Sequence, residues 1–247
     1  IVFGDWSSDV CSSDLQQWFE AVVKALKNAI RQMKRTGHNP RDIKGVLMCG
    51  TSGTMVCLDA ENHSLQKAIM YDDSRAVTQA EKINNLARDH CGKLGYHFSA
   101  SFGLPKLLWI QENRPELGNK TKKAIHASDY IVGKFTGEFG VSDYSNALKT
   151  GFDLIANCWP PFLAELPKFD SSKLPEVQTP GDFIAKTTTE LETLTGLPAG
   201  TAVFAGVTDS TASVLSAGAV ACGDIYSVLG RDRKRTRLNS SHRIRSR

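Results

Sequence analysis

Phe19, Val22, Leu26, Ile30 and Met33 recur at steps of three and four, which predicts a helix over residues 16–36 with one apolar face. Gly37 and then Asn39-Pro40 end it. Ser13, three residues before Gln16, has the spacing of a capping box. Residues 43–49 form an apolar run and read as a buried strand. Gly50-Thr51-Ser52-Gly53 is a turn, and residues 54–59 read as a second strand. Glu61-Asn62-His63 is a polar turn before a short strand at 68–71. Residues 75–94 read as one helix, with Ala76, Ala80, Ile83 and Leu86 on one side. Further helices are expected at 104–112 and 127–136. Residues 160–180, rich in proline, serine and lysine, read as an irregular connection. A helix at 187–194 stops at Gly196. Residues 201–207 (TAVFAGV) form a strong buried strand, residues 210–220 a small-residue helix, and residues 224–229 another strand. Strands and helices alternate, which predicts an α/β architecture.

Composition adds one correction to this picture. The chain of 247 residues is 41% hydrophobic and 23% charged, as in ordinary globular domains. Its net charge of +4 hints at nucleic-acid binding. Residues 231–247, however, hold seven Arg and one Lys against one Asp, a charge of +7. Residues 1–14 hold Asp5, Asp9 and Asp14 and no base, a charge of −3, which leaves residues 15–230 neutral. The basic character belongs to the tail, which has no aromatic residue to stack on bases. Both ends read as foreign to the domain: a head at 1–14 with an SSD repeat, and a basic tail at 231–247. No nucleic-acid or membrane partner is expected. Six cysteines occur without a C-x-x-C spacing, which fits reduced thiols in a cytoplasmic setting. His90, Cys91 and His97 match no common zinc spacing, and no metal site is expected of the protein's own ligands.

Four places have residues suited to chemistry. Gly50-Thr51-Ser52-Gly53-Thr54 follows a strand and is either a plain turn or a cradle for a polyol or phosphate. It lacks the Gly-Lys-Ser/Thr of a phosphate loop, and Thr54 replaces the glycine of a nucleophile elbow. Tyr71-Asp72-Asp73-Ser74-Arg75 either caps a helix or offers carboxylates to a sugar or metal. The segment from Lys106 to Ile110 reads as core packing. Asp209 stands where an apolar strand passes into a helix, the position at which ligands bind in open α/β sheets. The alternative for Asp209 is an N-cap.

Several ordered segments resemble the FGGY carbohydrate kinases. They are PKLLWIQENRPEL at 105–117, HASDYIVGKFTGEFGVSDYSNALKTGFD at 126–153, AGVTDSTASVLSAGA at 205–219 and GDIYSVLG at 223–230. The resemblance runs over residues 16–230 and is similar in detail to D-ribulose kinases and xylulokinase-like proteins. It implies the first domain of an actin-like, ribonuclease-H-like ATPase fold, incomplete at both ends, since the family's first strand with its D-x-G-T loop and the Gly-Thr-Ser turn after Gly230 are missing. It implies ATP and Mg²⁺ as cofactors, a small sugar as substrate, scope for a homodimer, and a cytoplasmic or plastid location. Asp209 matches the catalytic base. Thr51 and Ser52 occupy the turn where xylulokinases carry Met-His, which favours D-ribulose over D-xylulose. Ser210, Asp73 and Arg75 match sugar-pocket positions, and Gly230 the approach to the nucleotide. The implied reaction is ATP-dependent phosphorylation of a ketopentose. The rivals are a catalytically dead fragment and an actin-like nucleotide-binding protein with no sugar role.

Overall fold

The structure is a computed structural model that describes residues 14–221 and 223–225. The expected strand at 224–229 and the candidate Gly230 lie outside the described residues in whole or in large part.

The first helix, α1 (Leu15–Arg35), follows the apolar period and buries Leu15, Val23 and Ile30. Its cap is Asp14, not Ser13: the carboxylate accepts the N–H groups of Gln16 at 2.9 Å and Gln17 at 3.3 Å. A carboxylate also suits the positive end of the helix dipole. Two strands follow, β1 (Gly45–Gly50) and β2 (Met55–Leu58). β2 is buried along its whole length, but β1 alternates and leaves Leu47 half exposed, so the expectation of a buried strand fails for β1. The reason is its place: among the described residues β1 is an edge strand, paired with one neighbour. The expected strand at 68–71 is reduced to a single bridge between Ile69 and Met55.

The expected helix over 75–94 is two helices, α2 (Val77–Leu86) and α3 (Arg88–Leu94). Buried Ala87 caps both, and no glycine or proline marks the break. The break turns Cys91 into the same core as Ile83, Phe98 and Leu104. Helices α4 (Gly103–Asn113) and α5 (Pro115–Lys120) lead to β3 (Lys123–His126), which pairs antiparallel with β2. Next come α6 (Ala127–Thr136), β4 (Val141–Asp143) and α7 (Tyr144–Leu148). The connection expected to be irregular contains two short 3-10 turns and also β5 (Glu176–Gln178), which pairs parallel with β4. The chain then forms β6 (Phe183–Lys186), α8 (Thr189–Thr195), β7 (Ala202–Thr208) and α9 (Asp209–Ser216). Thr188 caps α8 and Gly196 ends it in the left-handed region, at φ 81°.

β7 lies between β1, parallel, and β6, antiparallel. This mixed α/β arrangement bears out the predicted class. The largest core packs α1, α6 and α8 on the β2–β3 pair through Ile30, Val56, Leu58, Ile125, Phe135 and Leu191. A second core joins α2, α3 and α4 through Ile83, Phe98, Leu104 and Leu108. No helix among the described residues is long and apolar enough to cross a membrane.

Candidate active site

β1 and β7 run parallel, and their register pairs Gly50 with Thr208. The residues after each strand therefore emerge at the same end of the sheet: Thr51-Ser52 from β1 and Asp209-Ser210 from β7. Gly206 permits the close approach, since a Cβ there would collide with the Met48 carbonyl. The β1 turn is rigid for local reasons. Gly53 has φ +77°, and a Cβ would strike the Ser101 carbonyl, so only glycine fits. The Thr51 and Thr54 hydroxyls lie 3.2 Å apart and share a hydrogen bond.

Asp209 is the first residue of α9, and the N-cap is Thr208. The N-cap alternative for Asp209 is thereby excluded. The Asp209 side chain is exposed, and its Oδ1 accepts the Ser210 N–H at 2.7 Å. A carboxylate in the first turn is favoured by the helix dipole and stays available to a ligand. The Thr208 hydroxyl binds those of Ser210, at 3.2 Å, and Thr211, at 2.9 Å. Behind it the Thr208 N–H donates to Ser145 Oγ at 2.8 Å. Ser145 Oγ in turn donates to Asp143 Oδ1 at 2.6 Å. Buried Asp143 also accepts from the N–H groups of Ser145 and Asn146 and from Asn146 Nδ2. An ionised carboxylate is acceptor-only, and four donors meet that need.

Lys106 is buried completely, and its Nζ donates to the carbonyls of Gly53 at 2.7 Å and Ser101 at 3.1 Å. It pins the β1 turn from beneath. Burial lowers its pKa to about 8, with Asp73 acting in the opposite direction. Asp73 forms a bidentate pair with Arg75, with contacts of 2.6 to 2.9 Å. That pairing lowers the Asp73 pKa and raises that of Arg75. Asp73 does not cap α2, whose N-cap is Ala76. The Arg75 guanidinium lies over the Trp109 ring, 4.9 Å from its centre.

Ser142, His126 and Asp129 resemble a nucleophilic triad in composition but not in geometry. Ser142 Oγ and Asp129 Oδ2 both sit on His126 Nδ1, at 2.9 and 2.8 Å, while Nε2 faces Thr150 Oγ1 at 2.9 Å. A catalytic histidine bridges its two partners through different nitrogens. His126 is also fully buried, so the cluster is a polar rivet joining β3, α6, β4 and the turn after α7. His90 and Cys91 are not paired for zinc: His90 Nε2 lies 3.1 Å from the Tyr96 hydroxyl, and Cys91 faces Asn84. Among the described residues no three His, Cys, Asp or Glu side chains gather to hold a metal.

The sequence model of the FGGY family of carbohydrate kinases, N-terminal domain, matches residues 7–216. The chain belongs to the FGGY family. FGGY relatives include the xylulose kinase of Escherichia coli K12, 26% identical over 88% of this chain and 44% of its own length. The xylulose kinase of Streptomyces coelicolor is 30% identical over 83% of this chain and 42% of its own. The crystal structure of xylulose kinase from Rhodospirillum rubrum superposes with a TM-score of 0.79 at 26% identity, over 89% of this chain and 45% of that one. The fold is thus that of the FGGY sugar kinases, the actin-like ATPase class. The chain spans under half the length of these relatives.

Of the residues that the FGGY resemblance singles out, the structure brings Thr51, Ser52, Asp209 and Ser210 to one end of the sheet. Asp73 and Arg75 lie within electrostatic reach of Lys106, the residue that pins the β1 turn. Gly230 lies outside the described residues. Two residues escaped the sequence reading. Ser145 sits in a polar run whose partner, Thr208, is 63 positions away. Lys149 closes α7, with its stem against Gly53. The one available signal was a lone lysine between Leu148 and Thr150 with no acid at helical spacing before it.

Proposed function

We propose that the protein containing this chain transfers the γ-phosphoryl group of ATP to a primary hydroxyl of a ketopentose. D-ribulose is the favoured substrate and D-xylulose the competitor. The observation that carries the reading is the exposed Asp209 carboxylate at the start of α9, beside the hydroxyl-bearing Thr51-Ser52 turn. Membership of the FGGY family supports phosphoryl transfer to a sugar. The preference for D-ribulose rests on Thr51, Ser52 and Ser210, which offer small hydroxyls at the sugar end; the relatives from E. coli and R. rubrum are xylulose kinases.

In this mechanism Asp209 accepts the proton of the attacking hydroxyl as its oxygen bonds to phosphorus. Thr51, Ser52 and Ser210 orient the sugar, and Lys106 holds the turn that carries the first two. The Asp73–Arg75 pair supports the pocket wall with Trp109. Asp209, an exposed carboxylate, would face a Mg²⁺ ion carried on the nucleotide, an ion that keeps waters and phosphate ligands. When bound, Mg·ATP supplies the phosphoryl group and screens its charge. Gly230 is assigned to the nucleotide side. For this chain by itself the reading is sugar binding, with turnover belonging to the whole kinase. The described cysteines are free, with Cys57 and Cys91 buried, which supports a reducing, cytoplasmic setting.

The test is a chimera in which residues 15–216 replace the matching stretch of the E. coli xylulose kinase. ADP release stimulated more by D-ribulose than by D-xylulose is expected. A folded chimera that hydrolyses ATP without response to any ketopentose overturns the sugar reading.

A further inference from the structure

Two lysines reach the Thr51–Gly53 turn, Lys106 and Lys149, and Arg75 lies within electrostatic reach of Lys106; Arg75 and Lys106 are already engaged. Arg75 is held by Asp73 in a bidentate pair. Lys106 is fully buried and spends two of its donors on backbone carbonyls. Lys149 differs. No carboxylate in the described structure lies within 4.0 Å of its ammonium, and no hydrogen bond engages it. Its one close partner is the face of the Phe102 ring, 5.6 Å from the centre.

Lys149 is nonetheless built into the site. Its carbonyl accepts the N–H groups of Gly103 at 2.8 Å and Leu104 at 3.4 Å, which fixes its backbone against the start of α4. Its Cδ lies 3.4 Å from the place a Gly53 Cβ would occupy, so the stem runs along the turn. The ammonium is within the electrostatic reach of Asp209. Burial of this partly covered ammonium lowers its pKa, Asp209 acts in the opposite direction without touching it, and an anionic ligand offsets the remaining cost. The proposed reaction ends with a phosphate monoester next to the Asp209 carboxylate. Two anions side by side repel, and a cation between them is what the chemistry requires.

We propose that Lys149 is the anchor for a phosphate monoester, the phosphorylated sugar, held between the β1 turn and Asp209. This inference rests on the sugar-kinase reading but is tested separately from it. It concerns binding, and no bond is made or broken by Lys149.

The experiment is calorimetric titration of the full chain with D-ribulose 5-phosphate and with D-ribulose, for the native protein, Lys149→Gln and Lys149→Arg, each checked by thermal unfolding. Loss of one charge-assisted hydrogen bond weakens binding about tenfold. The expected result is that Lys149→Gln weakens the phosphate ester about tenfold and leaves D-ribulose unchanged, while Lys149→Arg restores the ester. The native affinity for the ester should also fall with added salt. Equal weakening of ester and free sugar in Lys149→Gln overturns the proposal, because it shows a packing role. Ester binding indifferent to Lys149, or absent from the native chain, overturns it too. If the ester binds through Lys149 while no ketopentose binds, the anchor stands and the sugar reading falls.

Discussion

The Ser145 hydroxyl accepts the backbone N–H of Thr208 at 2.8 Å, across 63 positions of sequence. Because Ser145 Oγ gives its proton to Asp143, it can only accept from Thr208, and the polarity of the bond is set. The residue after Thr208 is Asp209, so this bond fixes where the candidate base leaves the strand. Ser145→Ala strands the Thr208 N–H and one lone pair of Asp143. The expected loss is about 1–3 kcal/mol in a denaturant titration, with turnover in the chimera falling more than its sugar affinity. Ser145→Thr keeps the hydroxyl and should restore most of both. Equal stability and rate in the alanine variant would remove Ser145 from this role.

Asp209→Asn keeps the size of the side chain and removes the base. Sugar binding to the chain should persist, while turnover in the chimera falls about 100-fold or more. Full rate in a folded Asp209→Asn chimera refutes the assignment of the base.

Lys106 makes stability depend on alkaline pH. Burial lowers its pKa from 10.5 to about 8. Below about pH 8 the folded chain holds the costly buried ammonium. Between about 8 and 10.5 the unfolded chain keeps the proton and the folded chain does not, so this group's contribution to stability rises with pH. The neutral amine still has two donors for Gly53 and Ser101. Unfolding free energies of the native protein and Lys106→Met, measured from about pH 7 to 10, should diverge in favour of the native protein as pH rises. Parallel curves would contradict this.

Gly206→Ala tests the approach of β7 to β1. The new Cβ has no space beside the Met48 carbonyl, which is backbone and cannot swing aside. A loss of about 3 kcal/mol or more is expected by chemical denaturation, at the upper end for overpacking. A loss under about 1 kcal/mol would mean that the strand pairing differs.

Much of the fold could be read along the chain because it rests on local period and local chemistry. The apolar steps of α1, the match of α6 to residues 127–136, the left-handed stop at Gly196 and the run of β7 all depend on residues close in sequence. Short elements were not legible. β3, β4 and β6 have three or four residues each, too few for a period, and exist because a partner strand lies beside them. The break at Ala87 is likewise a packing decision.

The site divides in the same way. By itself the sequence determined that Asp209 stands where an apolar strand passes into a helix, that a hydroxyl-rich glycine turn follows β1, and that the order of motifs is that of the FGGY kinases. It determined also that the net positive charge resides in the tail. Only the tertiary structure decided that β1 and β7 are parallel neighbours with Gly50 opposite Thr208. That register is a long-range choice, made by strand pairing and by the space at Gly206, and no local pattern encodes it. It also decided how the cations are engaged: Arg75 with Asp73, Lys106 with two carbonyls, and Lys149 over the Phe102 ring with its stem beside Gly53. Charge is legible in sequence, but whether a charge has a partner depends on distances that only folding sets.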